Sequence, residues 1–315
     1  MLSYHKIYKS VATMYVDMIR YVKTAAITED SRNGKVWSLP APIMIDILCP
    51  RERVLLDPVR DANPFFHLFE GIWMLAGRNE VDFVSKFNSR MVEFSDDGRT
   101  LRGAYGYRWR EHFEFDQLRA IVDLLKKDPT TRRAVMSMWD AKVDLQESHL
   151  DHPCNMMISF RILKGHLQMT VYNRSNDLIW GLCGANAVHL TMLHEWMAAA
   201  VGVELGTWHH FSNNLHMYEQ HFGLRPTMIY EAPKPDKMVS NPWIFLAECK
   251  SFCDGETRPD VYEEPFFKRT IIPMLNSWET HKSGDTAGAM ELARRIGSAD
   301  WRTASFNWLR RRRAK

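Results

Sequence analysis

A series of strand patterns in the middle of the chain constrains the fold more than any other feature. Residues 134–139, 155–163 and 166–172 are rich in β-branched and aromatic residues, and Lys164-Gly165 between the last two is typical of a hairpin turn. An apolar helix pattern follows over residues 187–201, with Gly202 at the position of a C-cap, and residues 208–211 resume the strand pattern. Strands interspersed with helices in this way predict an α/β protein.

The flanking segments predict mainly helices. Apolar residues recur at helical spacing from Tyr4 to Val22, and a second helix is expected to start at Asn63-Pro64 and end near Gly77. Residues 40–49 read as a strand and residues 116–127 as a short amphipathic helix, while short helices are expected beyond about residue 222. Because no linker divides the chain, we expect one catalytic domain over residues 1–315 rather than two domains.

Composition excludes several classes of protein. The 315 residues are 45% hydrophobic, which is ample for a core, and the net charge of +3 is too small for a polyelectrolyte. No apolar run approaches the roughly 18 residues that a membrane span needs, and the first residues lack the layout of a signal peptide. Five cysteines, an odd number, argue against a disulfide framework, so we expect a cytoplasmic enzyme and no membrane partner.

Cysteine and arginine supply the first candidate chemistry. Cys154 follows Pro153 at the start of a predicted strand, where its sulfur can face a pocket, although an isolated cysteine is more often a small core residue. Arg132-Arg133 and Arg174-Ser175 suit a phosphate dianion, and a nearby guanidinium would lower the pKa of a thiol. Either arginine motif alone is equally consistent with solvated surface side chains.

Glu70 is a candidate for proton transfer. It lies within the predicted helix that starts at Asn63-Pro64, with Phe66 one turn before it and Trp73 one turn after it. A carboxyl group on such an apolar stripe is expected to have a raised pKa and could move protons. The alternative is a glutamate at the rim of the helix that reaches solvent.

Together these stretches resemble the thymidylate synthase family, and in particular the phage-type dUMP or dCMP hydroxymethylases. The resemblance covers about residues 32–220, followed by a peripheral C-terminal region over residues 221–315. It implies the family's three-layer α/β fold, with a large twisted mixed sheet and a dimer formed through the sheet faces. The residues that carry it are Glu70-Gly71-Ile72-Trp73, residues 102–110, Asp128-Pro129-Thr130-Thr131-Arg132-Arg133, Pro153-Cys154, Tyr172-Asn173-Arg174-Ser175-Asn176-Asp177, Gly181, Asn186 and His216-Met217-Tyr218.

The resemblance implies roles for the residues around the base. Cys154 matches the nucleophile that adds to C6 of a pyrimidine nucleotide, which makes C5 able to accept a one-carbon unit from 5,10-methylenetetrahydrofolate. Glu70 and Tyr105 match the groups that organise water and remove the C5 proton. Asn186, and Asn155 next to the nucleophile, are the implied base-binding residues.

The resemblance also implies residues for the phosphate, the sugar and the folate. Arg32, Arg174 and Ser175 are the implied same-chain phosphate ligands, while Arg132 and Arg133 match arginines that reach the partner's nucleotide across a homodimer. The remaining implied positions are His216 and Tyr218 for the sugar hydroxyl, and Asp177, Trp180 and Gly181 for the folate. No metal site is expected.

Asn186 bears on the identity of the base. It stands nine residues after Asp177 where the family has eight, so one residue appears to be inserted within residues 182–185. A side-chain amide can hydrogen-bond the O4 and N3 edge of uracil, whereas the related deoxycytidylate enzymes carry Asp there. We therefore expect dUMP in preference to dCMP.

The chain departs from an ordinary synthase at four places, and two of them, the lost closing tail and the lost tryptophans, favour the entry of water. The departures are Asn155 in place of His, Met91 and Phe94 in place of tryptophans, Ser212-Asn213-Asn214 in place of Gly-Gly-Asp, and a basic end, residues 310–315, in place of an apolar closing tail. If water enters before hydride transfer, the product carries a hydroxymethyl group instead of a methyl group. The sequence thus predicts a 5-hydroxymethyltransferase, encoded by a phage and acting in the host cytoplasm. The alternatives are a true thymidylate synthase and a CMP hydroxymethylase.

The basic end itself has two readings. Four consecutive arginines from Arg310 would bind nucleic acid with steep salt dependence, or they could be a solvated, disordered end. We expect the second, and therefore no nucleic-acid partner.

Overall fold

The computed structural model describes residues 4–146, 148–226 and 228–313, and its strands form two sheets. The strands are β1 (His5–Tyr8), β2 (Ile27–Ser31), β3 (Gly34–Ser38), β4 (Ile43–Ile47), β5 (Val135–Ser137), β6 (Asn155–Leu163), β7 (His166–Asn173), β8 (Asn176–Asp177), β9 (Glu204–Ser212) and β10 (Leu215–Tyr218). The larger sheet is mixed and has the order β1-β4-β9-β7-β6-β5, and the smaller has the order β2-β3-β10-β8. The α/β class and the large mixed sheet are therefore confirmed.

The helices supply much of the remaining core. They are α1 (Val11–Ala25), α2 (Pro64–Leu75), α3 (Val81–Ser85), α4 (Tyr105–Arg110), α5 (Gln117–Lys127), α6 (Ala141–Asp144), α7 (Ala185–Val201), α8 (Pro242–Cys253), α9 (Ile272–Lys282), α10 (Thr286–Ala293) and α11 (Ala299–Arg313). Shorter helical turns are Ser89–Phe94, Leu178–Leu182, Glu219–His221, Pro259–Val261 and Phe267–Ile271. Within the described ranges, the helices are too short or too polar to cross a bilayer.

The central hairpin forms where the sequence predicts it. Strands β6 and β7 pair antiparallel along their length, and Lys164 and Gly165 join them with φ angles of 49° and 77°. Two successive positive φ angles are characteristic of a two-residue hairpin turn of type I′. Strand β7 then pairs in parallel with β9, so that the C-terminal ends of these two strands lie side by side.

Helices α2 and α7 are also confirmed, and they pack closely together. The side chain of Asn63 caps α2 by accepting from the backbone N–H groups of Phe65 and Phe66. Gly71 permits the contact with α7, because a Cβ atom there would lie 2.5 Å from the sulfur of Met192. The contact brings Glu70 of α2 to the surface of α7.

The expected helix from Tyr4 is wrong over its first turns. His5–Tyr8 is strand β1, which pairs in parallel with β4, and α1 begins only at Val11. Ser10 explains the boundary, since its side chain accepts from the N–H of Thr13 in a capping box. Apolar residues at positions 4, 7, 8 and 11 fit helical spacing by coincidence, and strand pairing supplies the backbone hydrogen bonds instead.

The C-terminal region consists of short helices, as expected, but its basic end is not disordered as far as Arg313. The arginine run is the last turn of α11, whose apolar face packs near α2, with the rings of Phe65 and Trp308 5.6 Å apart. Arg311 and Arg312 form ion pairs with Asp61. Burial of one helix face and these ion pairs order a segment whose composition suggests solvation; residues 314 and 315 lie outside the described ranges.

Candidate active site

Cys154 lies in a cleft of about 540 Å³, at the start of β6 and the end of β7 in the large sheet. Strand β6 begins directly after Cys154 and pairs with the end of β7, so the antiparallel register places Cys154 beside Arg174 and Ser175. Strand β10 pairs with β8, with His216 opposite Asp177, which adds a second wall. The sequence-predicted residues that line the cleft are Arg32, Cys154, Arg174, Ser175, Asp177, His216 and Tyr218.

Two arginines are held at the cleft by backbone carbonyl groups. The Arg174 Nε atom donates to the carbonyl of Pro153 at 3.0 Å, and its guanidinium lies 5.5 Å from the centre of the Trp139 ring. Arg32, between β2 and β3, donates to the carbonyls of residues 149 and 150 at 3.4 and 3.3 Å. Two oriented guanidinium groups beside one cysteine form an anion-binding arrangement.

The surroundings of Cys154 have opposing effects on the pKa of its thiol. Burial raises the pKa of the Cys154 thiol, while the positive charges of Arg174 and Arg32 act to lower it. Tyr105, at the start of α4, is also buried, and burial together with the fields of Cys154 and Asp151 raises the pKa of its phenol. Tyr105 is therefore neutral at physiological pH and lies within electrostatic range of the cysteine.

Asp151 is a cleft residue that the sequence reasoning missed. Its Oδ2 atom accepts a hydrogen bond of 2.8 Å from the backbone N–H of Gly103. A Cβ atom on Gly103 would lie 2.8 Å from the Asp151 Oδ1 atom, so this contact requires glycine at position 103. Burial raises the pKa of the Asp151 carboxyl. The available signal was an acidic residue three positions before the cysteine.

Asp177 and Trp180 form one end of the site. The Asp177 Oδ1 atom accepts from the N–H groups of Ile179 (2.7 Å) and Trp180, while its buried Oδ2 atom has no partner among the described residues. Burial raises the pKa of Asp177 to about 6. The Trp180 ring is 42% exposed and carries the Arg60 guanidinium 5.0 Å from its centre.

Leu178–Leu182 is a π-helical turn, and it accounts for the unusual spacing of Asn186. A π turn holds one more residue than an α turn, which matches the extra residue between Asp177 and Asn186. Gly181 lies within this turn, close to two side-chain amides. A Cβ atom there would be 2.2 Å from the Asn176 oxygen and 3.3 Å from the Asn186 nitrogen. The turn therefore brings Asn186 near β8 and the cleft wall.

Several predicted residues lie behind the cleft wall. Asn155 is fully buried next to Cys154, and its amide lies within hydrogen-bonding range of the Tyr105 hydroxyl, while its Oδ1 atom has no partner among the described residues. Glu70 is only 5% exposed, so the alternative of a solvent-reaching rim glutamate is wrong. The Glu70 Oε2 atom lies 2.9 Å from the Nε2 atom of His189. His189 is a second residue that the sequence reasoning missed.

The opposite wall holds a His–Tyr pair on β10. The Nδ1 atom of His216 lies 2.9 Å from the side-chain oxygen of Asn214, and the rings of His216 and Tyr218 are 5.2 Å apart. Asn214 also lines the cleft. The hydrogen bond to Asn214 fixes the orientation of the imidazole, so that its other nitrogen is directed away from Asn214.

Arg132 and Arg133 are not brought into the cleft of their own chain. Both are exposed, directly before the edge strand β5. Their expected action across a dimer stays a prediction. Within the described ranges there is no group of three His, Cys, Asp or Glu side chains that could hold a metal ion.

Comparison with known proteins identifies the family of this chain and supports its fold. The thymidylate synthase family model matches residues 14–243. A deoxyuridylate hydroxymethyltransferase of Pseudomonas phage M6 is 42% identical over 91% of this chain and 88% of its own length. A second protein of that name, from Bacillus phage SP01, is 38% identical over 68% of this chain and 58% of its own length. A putative thymidylate synthase of Methanothermobacter marburgensis is 38% identical over 61% of this chain and 73% of its own length. The chain therefore belongs to the thymidylate synthase family and is a one-carbon transferase.

Proposed function

We propose that the protein transfers a hydroxymethyl group to C5 of dUMP, using 5,10-methylenetetrahydrofolate and water. The observation that carries this proposal is the placement of Cys154 in one cleft with two arginines and the His216–Tyr218 pair. The names of the phage relatives, with 42% identity over 91% of the chain in one case, support deoxyuridylate as the substrate.

The nucleotide would be held at both ends. Arg32, Arg174 and Ser175 bind the phosphate through charge-assisted hydrogen bonds, and His216 and Tyr218 bind the sugar hydroxyl. This places the base near Cys154, whose thiolate adds to C6. The electron pair of the C5–C6 bond then makes C5 an enolate carbon that can attack an electrophile.

The amides of Asn186 and Asn155 are assigned to the base. Both side chains lie close to the cleft, and the buried Asn155 Oδ1 atom has no partner among the described residues. An amide donates to O4 and accepts from the N3 proton, which matches uracil rather than cytosine. This assignment is why dUMP is favoured and dCMP is the next candidate.

The residues at the Asp177 end fit a folate. The unpartnered Oδ2 atom of Asp177 can accept from the N–H groups of a pterin, and the exposed Trp180 ring offers a stacking surface beside Gly181. A folate bound there supplies the one-carbon unit at C5. The ionised form of Asp177 is the one that accepts two such hydrogen bonds.

The remaining steps decide the product. We assign Tyr105 to the removal of the C5 proton: its neutral phenol hydrogen-bonds a water molecule that takes this proton. Tetrahydrofolate leaves with the electron pair of its bond to the one-carbon unit, so an exocyclic methylene group remains on the base. Water adds to this carbon, Glu70 takes the proton from water, and expulsion of the Cys154 thiolate restores the C5–C6 double bond. Water needs an open cleft to reach this carbon. The position of α11 supports this step, because none of its described residues lines the cleft.

Assembly and location complete the proposal. We propose one catalytic domain over residues 1–315, because α11 packs near α2, which carries Glu70. A homodimer through the outer face of the large sheet would let Arg132 and Arg133 reach the partner's phosphate.

The phage relatives support a phage-encoded protein that acts in the host cytoplasm. We assign no nucleic-acid partner, since Arg311 and Arg312 are paired with Asp61.

The second candidate is thymidylate synthase activity, in which the methylene group is reduced by hydride and dihydrofolate is released. The family match and the retained Cys154 and Tyr105 favour it. A CMP hydroxymethylase is the third candidate, and the same assay tests it.

Product mass separates these candidates. The protein is incubated with methylenetetrahydrofolate and dUMP, dCMP, UMP or CMP in turn. We expect a dUMP product one oxygen atom heavier than dTMP and no rise in dihydrofolate absorbance. Formation of dTMP with dihydrofolate would overturn the proposal, as would full activity of the Cys154→Ser variant.

A further inference from the structure

A buried acid–histidine pair connects α2 to α7 behind the cleft. Glu70 and His189 are 5% and 1% exposed, and their nearest polar atoms, Oε2 and Nε2, are 2.9 Å apart. The absence of a side chain on Gly71 permits the close packing of α2 on α7 at this level. The pair is therefore set by the packing of two rigid helices, which is how precise sites are usually supported.

Hydrogen-bonding capacity remains on both partners. Apart from the 2.9 Å contact between them, Glu70 Oε2 and the ring nitrogens of His189 have no hydrogen-bond partner among the described residues. Buried polar atoms are nearly always satisfied, by protein or by ordered water. A carboxylate oxygen and two imidazole nitrogens together can bind a small molecule that both donates and accepts, such as water.

The pair is in electrostatic contact with the cleft. The negative charge of Glu70 contributes to raising the pKa of Asp151, a residue of the cleft wall. Asp151 in turn contributes to the raised pKa values of Cys154 and Tyr105. Geometry makes the same connection, because His189 follows Asn186 by three residues, about one turn, on α7.

We propose that His189 is a positioning residue that holds Glu70 and a water molecule ready to attack the exocyclic methylene group. The proposal rests on the proposed function and adds a residue that selects the product. The water oxygen bonds to the methylene carbon, and the electron pair of the C5–methylene bond moves to the C4 oxygen. The water proton passes to the Glu70 carboxylate, and the enolate then expels the Cys154 thiolate. His189 orients the carboxylate and the water and does not touch the nucleotide.

The test compares water with a competing nucleophile. With dUMP and methylenetetrahydrofolate, 2-mercaptoethanol adds to the same methylene carbon without needing an oriented water molecule. For His189→Gln we expect the ratio of hydroxymethyl product to thioether product to fall by about tenfold or more, the scale of a weakened acid–base step. The KM for dUMP and the affinity for dUMP alone, measured by calorimetry, should not change.

A matched control is available on the same helix. His194 is equally buried in α7, but its Nε2 atom is 2.7 Å from the carbonyl of Leu167, so its hydrogen-bond partner lies on β7 and not on α2. His194→Gln should therefore leave the product ratio unchanged, and His189→Asn provides a second variant should His189→Gln fail to fold.

The possible failures are distinguishable. A wild-type product ratio retained in folded His189→Gln would overturn the role of His189 alone. Formation of dTMP and dihydrofolate by the wild type would overturn the proposed function and this inference together.

Discussion

Arg312 donates hydrogen bonds to both carboxylate oxygens of Asp61, at 3.1 and 3.0 Å, across 251 residues of sequence. The Nε atom of Arg311 adds a third at 2.9 Å. Asp61 has a φ angle of 47°, in the left-handed region that non-glycine residues seldom occupy. Its neighbour Arg60 donates to the carbonyl of Ile179 at 3.0 Å and lies over the Trp180 ring. The end of α11 is thus connected to the proposed folate end of the cleft.

Removal of this connection should weaken folate use more than stability. Arg312→Ala removes a partly exposed ion pair, so we expect a loss of about 1 kcal/mol in the free energy of unfolding. Because Arg60 is the chain neighbour of Asp61, loss of the Arg312 contact should leave Arg60 and the Trp180 ring less firmly positioned, so the KM for the folate should rise severalfold while the KM for dUMP stays constant. Steady-state kinetics and urea unfolding measure these changes. The matched control is the exposed Arg313→Ala; an equal effect in that variant would contradict the connection.

The arginines of residues 310–313 also show which features local sequence patterns predict and which they do not. Periodicity and turn chemistry are local, so α2, α7 and the hairpin at Lys164-Gly165 were predictable. Pairing of β1 with β4 and docking of Arg312 on Asp61 depend on partners far along the chain, which local patterns do not report. The ordered arginines therefore looked like a solvated end.

The residues of the site also fall into two groups, those that local sequence motifs predict and those that only the structure reveals. Motifs with characteristic neighbours, such as Pro153-Cys154 and Arg174-Ser175, were found, and the structure brings them to one cleft. Asp151 and His189 have no such signature, because their roles depend on contacts with Gly103 and Glu70 from other segments. Only the tertiary structure places these pairs together.

Folate binding should depend on the ionisation of Asp177. Burial raises its pKa to about 6, so the ionised acceptor is lost as the pH falls below that value. The KM for the folate should then rise by about tenfold per pH unit below 6, while the KM for dUMP does not follow the same curve. Asp177→Asn should show weak folate binding without this pH dependence. A folate KM that is flat between pH 5 and 7 in the wild type would rule out the role.

The same carboxyl group makes a testable contribution to stability. Because its pKa is higher in the folded state than the ordinary value of 3.8, the folded state binds the proton more tightly. Its stabilising contribution is complete below about pH 3.8 and is lost as the pH rises through about 6. Asp177→Asn, which has no charge to bury, should therefore gain stability relative to the wild type between pH 4 and 7. Urea unfolding across this range measures the difference, and a constant difference would contradict the raised pKa.

Arg174 should control the reactivity of Cys154 before any substrate binds. Burial raises the pKa of the thiol and the guanidinium opposes that effect, so Arg174→Gln should move the pH midpoint of Cys154 alkylation by iodoacetamide to higher values. The labelled cysteine is identified by peptide mass. Arg161→Gln, on the exposed side of β6, is the matched control and should leave the midpoint in place. A midpoint unchanged in Arg174→Gln would show that Arg174 does not influence the thiol.

The contact between Gly103 and Asp151 can be tested by a pair of substitutions. A methyl group at position 103 would lie 2.8 Å from the Asp151 Oδ1 atom, so Gly103→Ala should displace the carboxylate and cost about 1–3 kcal/mol in the free energy of unfolding. Replacing Asp151 with Gly removes the clashing atoms, and Gly103→Ala should then cost much less in the Asp151→Gly background. Urea unfolding of the four proteins yields the coupling energy. An additive cycle would show that the two residues do not constrain each other, and Asp151 would then have no fixed position beside Cys154.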